Sequence, residues 1–417
     1  MTDPILTPEW PTPTRDAAEA HFARVLPSLG TRYAHGRNFD QGPGRHDFVS
    51  GLSPYLRRRL LLEPDVIASV LQEHGMDAAE RFVQEVLWRS YFKGWLECRP
   101  AVWRAYREGL RTDLERLDAD VDLRHAVHRA EAGETDLGCM NAWARELTDT
   151  GYLHNHARMW FASIWIFTLR LPWRLGADFF YRHLLDGDPA SNTLSWRWVA
   201  GLHTRGKFYA AEAWNIARFT NNRFTPHASD LADVTEGLEA EEPDGLPQVQ
   251  PLREPLTPQA GAPAALLITE EDCRPDDFAL SGLDIRATAT LAASALRSPQ
   301  PVSGKVTEFE AAALADTAHR ISGRADNLQV DDPGVLARWA AEHGATQIVT
   351  PFIPQGPLRD WVTMAGPTLN AAGLTLREWR RDWDTLVWPH ATAGYFKVKK
   401  KLPDILHDAG LSRYVTR

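Results

Sequence analysis

The 417-residue chain has only three cysteines, Cys98, Cys139 and Cys273, far apart and never in a C-x-x-C pair. That excludes a disulfide framework and a zinc-finger ligand set. It also lacks a long apolar run, since the best stretch, Met159 to Leu169, is too short to cross a bilayer. It opens with MTDPILTPEWPTPTRD, which has neither the basic start nor the apolar core of a signal peptide. A soluble, cytoplasmic protein is therefore expected. Positive charge is not in excess: Lys+Arg 46 against Asp+Glu 55 leaves a net charge of -9, so a histone-like surface is excluded and only a local basic patch is open to it. Tryptophan, by contrast, is abundant, with 16 in the chain and eleven of them before residue 215. The hydrophobic share of 44% and charged share of 24% are those of an ordinary globular protein large enough for two or three domains.

Six prolines between Glu241 and Pro263 mark an extended linker. It separates a helical part, 1–240, from an α/β part, 264–417. Before the linker, helices are predicted over Asp77–Leu96, Met140–Leu147, His156–Leu171 and Asp178–Leu185, the third apolar almost all round. After it, strands are predicted at Ala264–Thr269, Gln347–Phe352 and Leu374–Trp379. Helices are predicted at Thr307–Ile321, Val335–His343 and Arg359–Ala371. That alternation predicts a Rossmann-like parallel sheet. The KVKKK run at Lys397–Lys401 reads as a solvated helix end or loop.

The informative stretch is Thr150 to Phe224. Arg158 lies in a segment with no other charge until Arg170, so a buried guanidinium there needs an anion, and Asp186 or Asp188 is nearest in sequence. On pattern alone this can be a structural ion pair. Asn155 and Asn192 can be helix caps, and Trp160, Trp165, Trp173, Trp196 and Trp198 can be core.

Together these residues resemble the flavin-binding helical domain of the DNA photolyase/cryptochrome family. Its T-G-W-x-H-N-x-x-R-M element stands here as Thr150 to Met159, with Tyr152 in place of Trp. Its W-x-x-G element stands as Trp173 and Gly176. Its D-G-D-x-x-x-N-x-x-x-W-x-W element stands as Asp186, Gly187, Asp188, Asn192, Trp196 and Trp198. Upstream, Tyr33 and Arg37 followed by Val49-Ser50-Gly51-Leu52-Ser53-Pro54-Tyr55-Leu56 are similar to the family's phosphate loop, and Glu85–Arg89 is similar to its E-L-x-W-R helix. Five elements in order over nearly 200 residues carry far more weight than one short motif. Family members usually place an α/β domain first. Here Gly394–Val398 resembles the end of that domain and Leu266–Leu280 its start, so a permuted domain order is inferred.

The resemblance implies FAD as cofactor and leaves a second, antenna pigment open. Ser50, Gly51, Leu52, Ser53 and Leu56, with Tyr33, would hold the diphosphate side. Tyr152, Asn155, Arg158 with Asp186, Arg89 with Asp188, and Asn192 would surround the isoalloxazine. Glu85, Trp88, Asn155, Met159 and Trp198 would face a pyrimidine dimer, and Asn192, counted with them as catalytic, would face flavin N5. Trp196 and Trp173 would carry electrons, and Arg37 and His156 would touch DNA phosphate. The (6-4) photolyases have histidines where Asn155 and Met159 stand, so a cyclobutane dimer is the implied lesion. The function implied is light-driven repair of such dimers in ultraviolet-damaged DNA. The alternative is a cryptochrome-like blue-light receptor with an unidentified signalling partner. A cofactor-free, tryptophan-rich interaction module is a third. No metal and no membrane are implied. Four departures stand out: no Trp lies between Trp103 and Trp143, where the outer electron-transfer Trp belongs, His156 replaces an Arg, Val49 replaces a Thr, and Asn215 to Pro226 is only loosely similar to the family's terminal segment.

Overall fold

A computed structural model describes residues 11–412, so residues 1–10 of the proline-rich opening and residues 413–417 lie outside the described residues. Helices α1 (Arg15–Val25), α2 (Thr31–Gly36), α3 (Ser53–Arg57), α4 (Glu63–Glu97), α5 (Pro100–Ala119), α6 (Val121–Ala132), α7 (Gly138–Thr150), α8 (Asn155–Ser163), α9 (Trp173–His183), α10 (Pro189–Val199) and α11 (Ala213–Phe219) come first. Strands β1 (Pro263–Thr269), β2 (Asp284–Ala292), β3 (Asp326–Gln329), β4 (Gln347–Pro351) and β5 (Thr375–Trp379) follow. They are interleaved with α12 (Gly304–Ile321), α13 (Val335–Glu342) and α14 (Pro357–Ala371), and α15 (Asp382–Val387), α16 (Tyr395–Lys399) and α17 (Leu402–Asp408) come last. The helical-then-α/β reading holds, and no described helix is long and apolar enough to cross a membrane.

The chain divides into two compact units, but not at the proline-rich linker alone. One unit holds residues 28–51 and 99–249; the other holds 11–27, 52–98 and everything from 250 onward. The single cut expected at 241–263 therefore misses α3 and α4, which go with the sheet. Buried ion pairs tie α3 to it, and aromatic and hydrogen-bond contacts tie α4 to it, as described below.

In the first unit the apolar stretch after His156 is not one helix. α8 gives way to a π-helical turn at Ile164–Thr168, and Arg170 takes a left-handed φ of 53°. The Leu171 N–H reaches back to the Trp165 carbonyl at 3.0 Å, and Pro172 then ends any helical continuation. The turn still buries Ile164, Trp165 and Ile166, as the apolar pattern requires.

In the second unit α4 is kinked at Gly75, whose φ of 72° only glycine adopts freely, so its second half begins where the pattern from Asp77 does. The sheet runs β3-β2-β1-β4-β5 with every pair parallel. Alternate residues of β1 face opposite layers: Ala265 and Leu267 join the core with α13 and α14, and Leu266 and Ile268 join the core with α12. β2 and β3 are not among the predicted strands, because β2 interleaves Thr288 and Thr290 with its apolar residues and β3 has only four residues.

Beyond the carboxyl end of β1 stand Glu270, Glu271 and Asp272, all buried, as are Arg57, Arg58 and Arg59. Arg57 donates to both carboxylate oxygens of Glu271 at 3.0 and 2.7 Å. Arg58 meets Glu270 at 3.0 Å, and Arg59 bridges Asp272 at 3.3 Å and Asp384 at 2.6 Å. Arg297 adds a contact to Glu270 at 3.1 Å. Near β4 and β5, Arg253 and Arg359 both pair with Glu378 and donate to the Ile353 carbonyl at 3.1 and 3.0 Å. Open parallel sheets bind ligands at these carboxyl ends; here the chain's own guanidinium groups meet them.

Burial alone would raise the Glu270 pKa, but Arg297, Arg57 and Arg58 outweigh it and bring it down to about 2. A carboxylate depressed in this way stabilises the fold above its unfolded value near pH 4.3, and the contribution disappears as pH falls toward 2. Glu270→Gln leaves three buried arginines short of one charge, so urea unfolding should show a loss of about 3–5 kcal/mol at neutral pH. The difference from the parent should shrink on acidification below pH 4.

Candidate functional site

Two distant motifs meet in the first unit through backbone. The N–H of Leu185 donates to the Gly151 carbonyl at 2.9 Å, which sets the Thr150–Leu153 turn against Asp186–Asp188. Gly151 has φ 63°, and a Cβ there would lie 2.9 Å from Leu185 Cγ, so only glycine fits on both counts.

The turn delivers His154 as the N-cap of α8. Its Nδ1 accepts from the His156 N–H at 3.2 Å, and its Nε2 lies 3.0 Å from the Arg37 carbonyl. That pairing requires the neutral ring with the proton on Nε2. Burial lowers its pKa to about 4.

One turn on, Arg158 donates from Nε to the Leu153 carbonyl at 2.8 Å and from Nη2 to Asp186 Oδ2 at 3.0 Å. The choice left open between Asp186 and Asp188 is thus settled. Asp186 is the ion-pair partner, and Asp188 caps α10 by accepting from the Ser191 N–H at 2.8 Å. The guanidinium is 23% exposed and keeps its Nη1 edge after these two bonds. Asn192, in the second turn of α10, is buried and donates from Nδ2 to the Ala177 carbonyl at 2.7 Å. It is not a cap. Its amide is oriented, with Oδ1 directed away from that carbonyl as an acceptor.

The W-x-x-G spacing has a steric cause. A Cβ on Gly176 would lie 2.4 Å from Trp196 Cη2 and 2.9 Å from Trp165 Cδ2, so the glycine makes room for both indoles. Trp196 packs edge-on to Phe180 at 5.1 Å and to Trp165 at 6.3 Å. Trp173 instead leads to Tyr106 at 5.8 Å, and Tyr106 to Trp103 at 5.4 Å, a row of fully buried rings. Tyr106 has no signal in the sequence other than its place three residues after Trp103.

The remaining first-unit residues are placed as follows. Trp198, half-buried, stacks on Tyr209 at 5.6 Å. Asn155 is exposed, Met159 and Tyr152 are half-buried, and Tyr33 is buried. Arg37 is half-buried at the end of α2. Ser50 and Gly51 are half-buried, with Gly51 at φ 63°. His156 does not stand out as a cation. Its ring stacks on Trp160 at 4.1 Å and packs against Phe219 at 5.0 Å, and burial lowers its pKa. Burial thus works against the charged form of this ring.

The predicted set is not confined to the helical unit: Leu52, Ser53, Leu56, Glu85, Trp88 and Arg89 belong to the second. There Leu52 and Leu56 are buried, and the Ser53 carbonyl accepts from Arg89 Nη2 at 3.2 Å. Glu85 and Trp88 are half-buried on α4. Trp88 is not an open ring on both sides, because Tyr395 of α16 stacks on it with centroids 3.7 Å apart and planes at 9°. The Gly394–Val398 motif contains Tyr395, yet no periodicity links it to Trp88.

No group of three or more metal ligands occurs among the described residues. A half-open ion pair, an oriented amide and buried indoles suit a flat, redox-active ring whose charge changes better than they suit hydrolysis.

Comparison with known proteins agrees. Residues 82–226 match the FAD binding domain of DNA photolyase. The deoxyribodipyrimidine photo-lyase of Streptomyces griseus is 34% identical over 206 residues, covering 46% of this chain and 44% of that protein. The deoxyribodipyrimidine photo-lyase of a Thermus thermophilus strain is 35% identical over 193 residues, again 46% and 44%. The chain therefore spans less than half the length of these relatives. A solved bacterial class III photolyase from Agrobacterium tumefaciens shares 24% identity at TM-score 0.40, over 53% of this chain and 46% of that one.

His154 generates a pH dependence. A histidine whose folded pKa lies below its unfolded value near 6.5 favours the fold at higher pH and costs stability as pH falls toward 4. Protonation also removes the Nδ1 cap. Thermal or urea unfolding should show a loss on the order of 2–3 kcal/mol between pH 6.5 and 4. His154→Asn, which keeps a capping oxygen and does not titrate, should flatten that part of the profile.

Proposed function

From the premise that this chain belongs to the DNA photolyase/cryptochrome family through residues 82–226, we propose that it is an FAD-dependent, blue-light-driven lyase that splits cyclobutane pyrimidine dimers in DNA. The observations that carry the reading are the Arg158–Asp186 pair and, on α10, an Asn192 amide whose direction is set by Ala177.

The residues present fit FAD. Bound there, FAD supplies blue-light absorption and a transferable electron, which no side chain can. Arg158, through its remaining edge, balances negative charge on the ring, and Asp186 keeps that guanidinium in place. Asn192 offers Oδ1 as an acceptor, matched to a ring N–H, and as a neutral amide it cannot act as a proton source. That favours a fully reduced flavin over a radical photocycle. Ser50, Gly51, Leu52 and Ser53 offer backbone and hydroxyl donors to phosphate. Trp196 and Trp173 carry electrons, and Tyr106 and Trp103 extend the row from Trp173, taking the place of the missing outer Trp.

For the substrate, Trp198, backed by Tyr209, presents a ring face to an extruded base, and Trp88 presents another. Glu85 hydrogen-bonds the dimer and Asn155 and Met159 shape its fit. Arg37 serves a flanking phosphate. Between Gly151 and His227, Arg and Lys outnumber Asp and Glu nine to four, a local basic excess in an acidic chain. The packing of His156 against Trp160 and Phe219, where burial disfavours its charged form, favours the second reading, a blue-light receptor that binds FAD with little repair.

Reduced, FAD-loaded protein mixed with a dimer-containing oligonucleotide and lit with blue light should restore thymine absorbance. Glu85→Ala should slow this about 10- to 100-fold while flavin absorption stays. Arg158→Ala should weaken flavin retention about tenfold or more, read as flavin per protein after dilution. Unchanged DNA alongside a light-induced spectral change would establish the receptor instead.

A further inference from the structure

The C-terminal segment lies along one face of α4, and its contacts converge on a single side chain. Lys399 pairs with Glu80 at 3.1 Å. The Tyr395 hydroxyl donates to the Gln84 carbonyl at 3.1 Å, one helical turn before Trp88. The Tyr91 hydroxyl donates to the Ala393 carbonyl at 3.0 Å. Gly94 abuts Trp388, where a Cβ would lie 2.8 Å from the Trp388 Cα. These positions recur every three or four residues and so line one side of the helix.

Trp88 sits in the middle of this face. Tyr395 covers one face of its indole, Tyr91 meets it edge-on at 5.4 Å, and Phe92 packs against it at 5.3 Å. The indole remains partly exposed although Tyr395 clamps one of its faces. Tyr395 itself is buried, with its ring set by the stack and its hydroxyl by a main-chain oxygen. Such a ring is a fixed backing and not a mobile lid.

We propose that Tyr395 is a positioning residue for the substrate. It holds the Trp88 indole flat before binding, so that an extruded base meets an already ordered stacking face. Ordering a free side chain on binding lowers affinity, and a pre-set ring avoids that loss. The inference rests on the proposed role of Trp88 and extends it to a residue more than 300 positions away in the chain. It also gives the C-terminal segment a part in recognising the lesion.

The test uses the full chain loaded with FAD and kept dark, so that only binding is read. The probe is an oligonucleotide carrying one cyclobutane thymine dimer, followed by fluorescence anisotropy. Tyr395→Leu should raise the Kd about three- to tenfold with flavin content unchanged, and Tyr395→Phe, which keeps the ring, should bind like the parent. Trp88→Ala should weaken binding more, and adding Tyr395→Leu to it should cost nothing further. If Tyr395→Leu binds like the parent while Trp88→Ala is weakened, the inference is wrong and the role of Trp88 stands. If Trp88→Ala also binds like the parent, the role of Trp88 has failed and the inference with it. Should Tyr395→Leu lose its flavin, Tyr395→Met, similar in bulk but without a ring plane, is measured in the same way. Flavin loss in both would make the role structural and overturn the inference.

Discussion

Six charged residues in two runs, Arg57-Arg58-Arg59 and Glu270-Glu271-Asp272, hold the second unit together. Each ion would be costly to bury alone. Opposed at 2.7–3.3 Å they neutralise one another, and removing one partner exposes the cost of the rest. The pairing ties the end of α3 to a sheet whose first strand lies about two hundred residues later in the chain, and Lys93 of α4 reaches Glu271 at 3.8 Å. It also bears on function. Leu52 to Leu56, the part of the phosphate-loop resemblance in this unit, runs straight into Arg57. A segment proposed to offer donors to a diphosphate therefore runs into a residue anchored by buried ion pairs.

The first unit is organised by a different constraint, the space available between aromatic rings. Gly176 exists so that Trp165 and Trp196 can approach α9 closely, and Gly151 so that a turn can lie against Leu185. The polar groups are then few and directed. His154 caps, Asp186 holds Arg158, Ala177 turns Asn192, and each bond sets one orientation. The proposed photochemistry would need this kind of rigidity, because charge must be balanced without rearrangement when an electron leaves.

The domain order follows from the same logic. Packing depends on which surfaces meet and not on where the chain begins, so an α/β domain placed after the helices can still bring its last segment onto α4. Tyr395 is the visible case: a motif that resembles the end of that domain supplies the ring behind Trp88. The carboxyl ends of β1, β4 and β5, where such sheets commonly take a ligand, are met by arginines of the chain itself, which is consistent with a structural part for this domain.

Much of this was legible in the residues. Periodicity located α7 to α9, the central strand and the helices of the sheet. The isolated charge of Arg158 called for an anion, and motif spacing pointed to the FAD-binding domain that residues 82–226 match. The misses have physical causes. β2 and β3 carry too few apolar residues to announce themselves, the long apolar segment hid a π-helical turn ahead of Pro172, and two runs of opposite charge gave no hint that they meet. The sequence by itself determined the kinds of group present and their local periods, because helix pitch, turn chemistry and motif spacing are short-range properties. Only the tertiary structure decided that Asp186 takes Arg158 while Asp188 caps a helix, that His156 stacks on Trp160, and that Tyr395 backs Trp88. Burial, ring stacking and ion pairing across long stretches of chain depend on which surfaces meet in space.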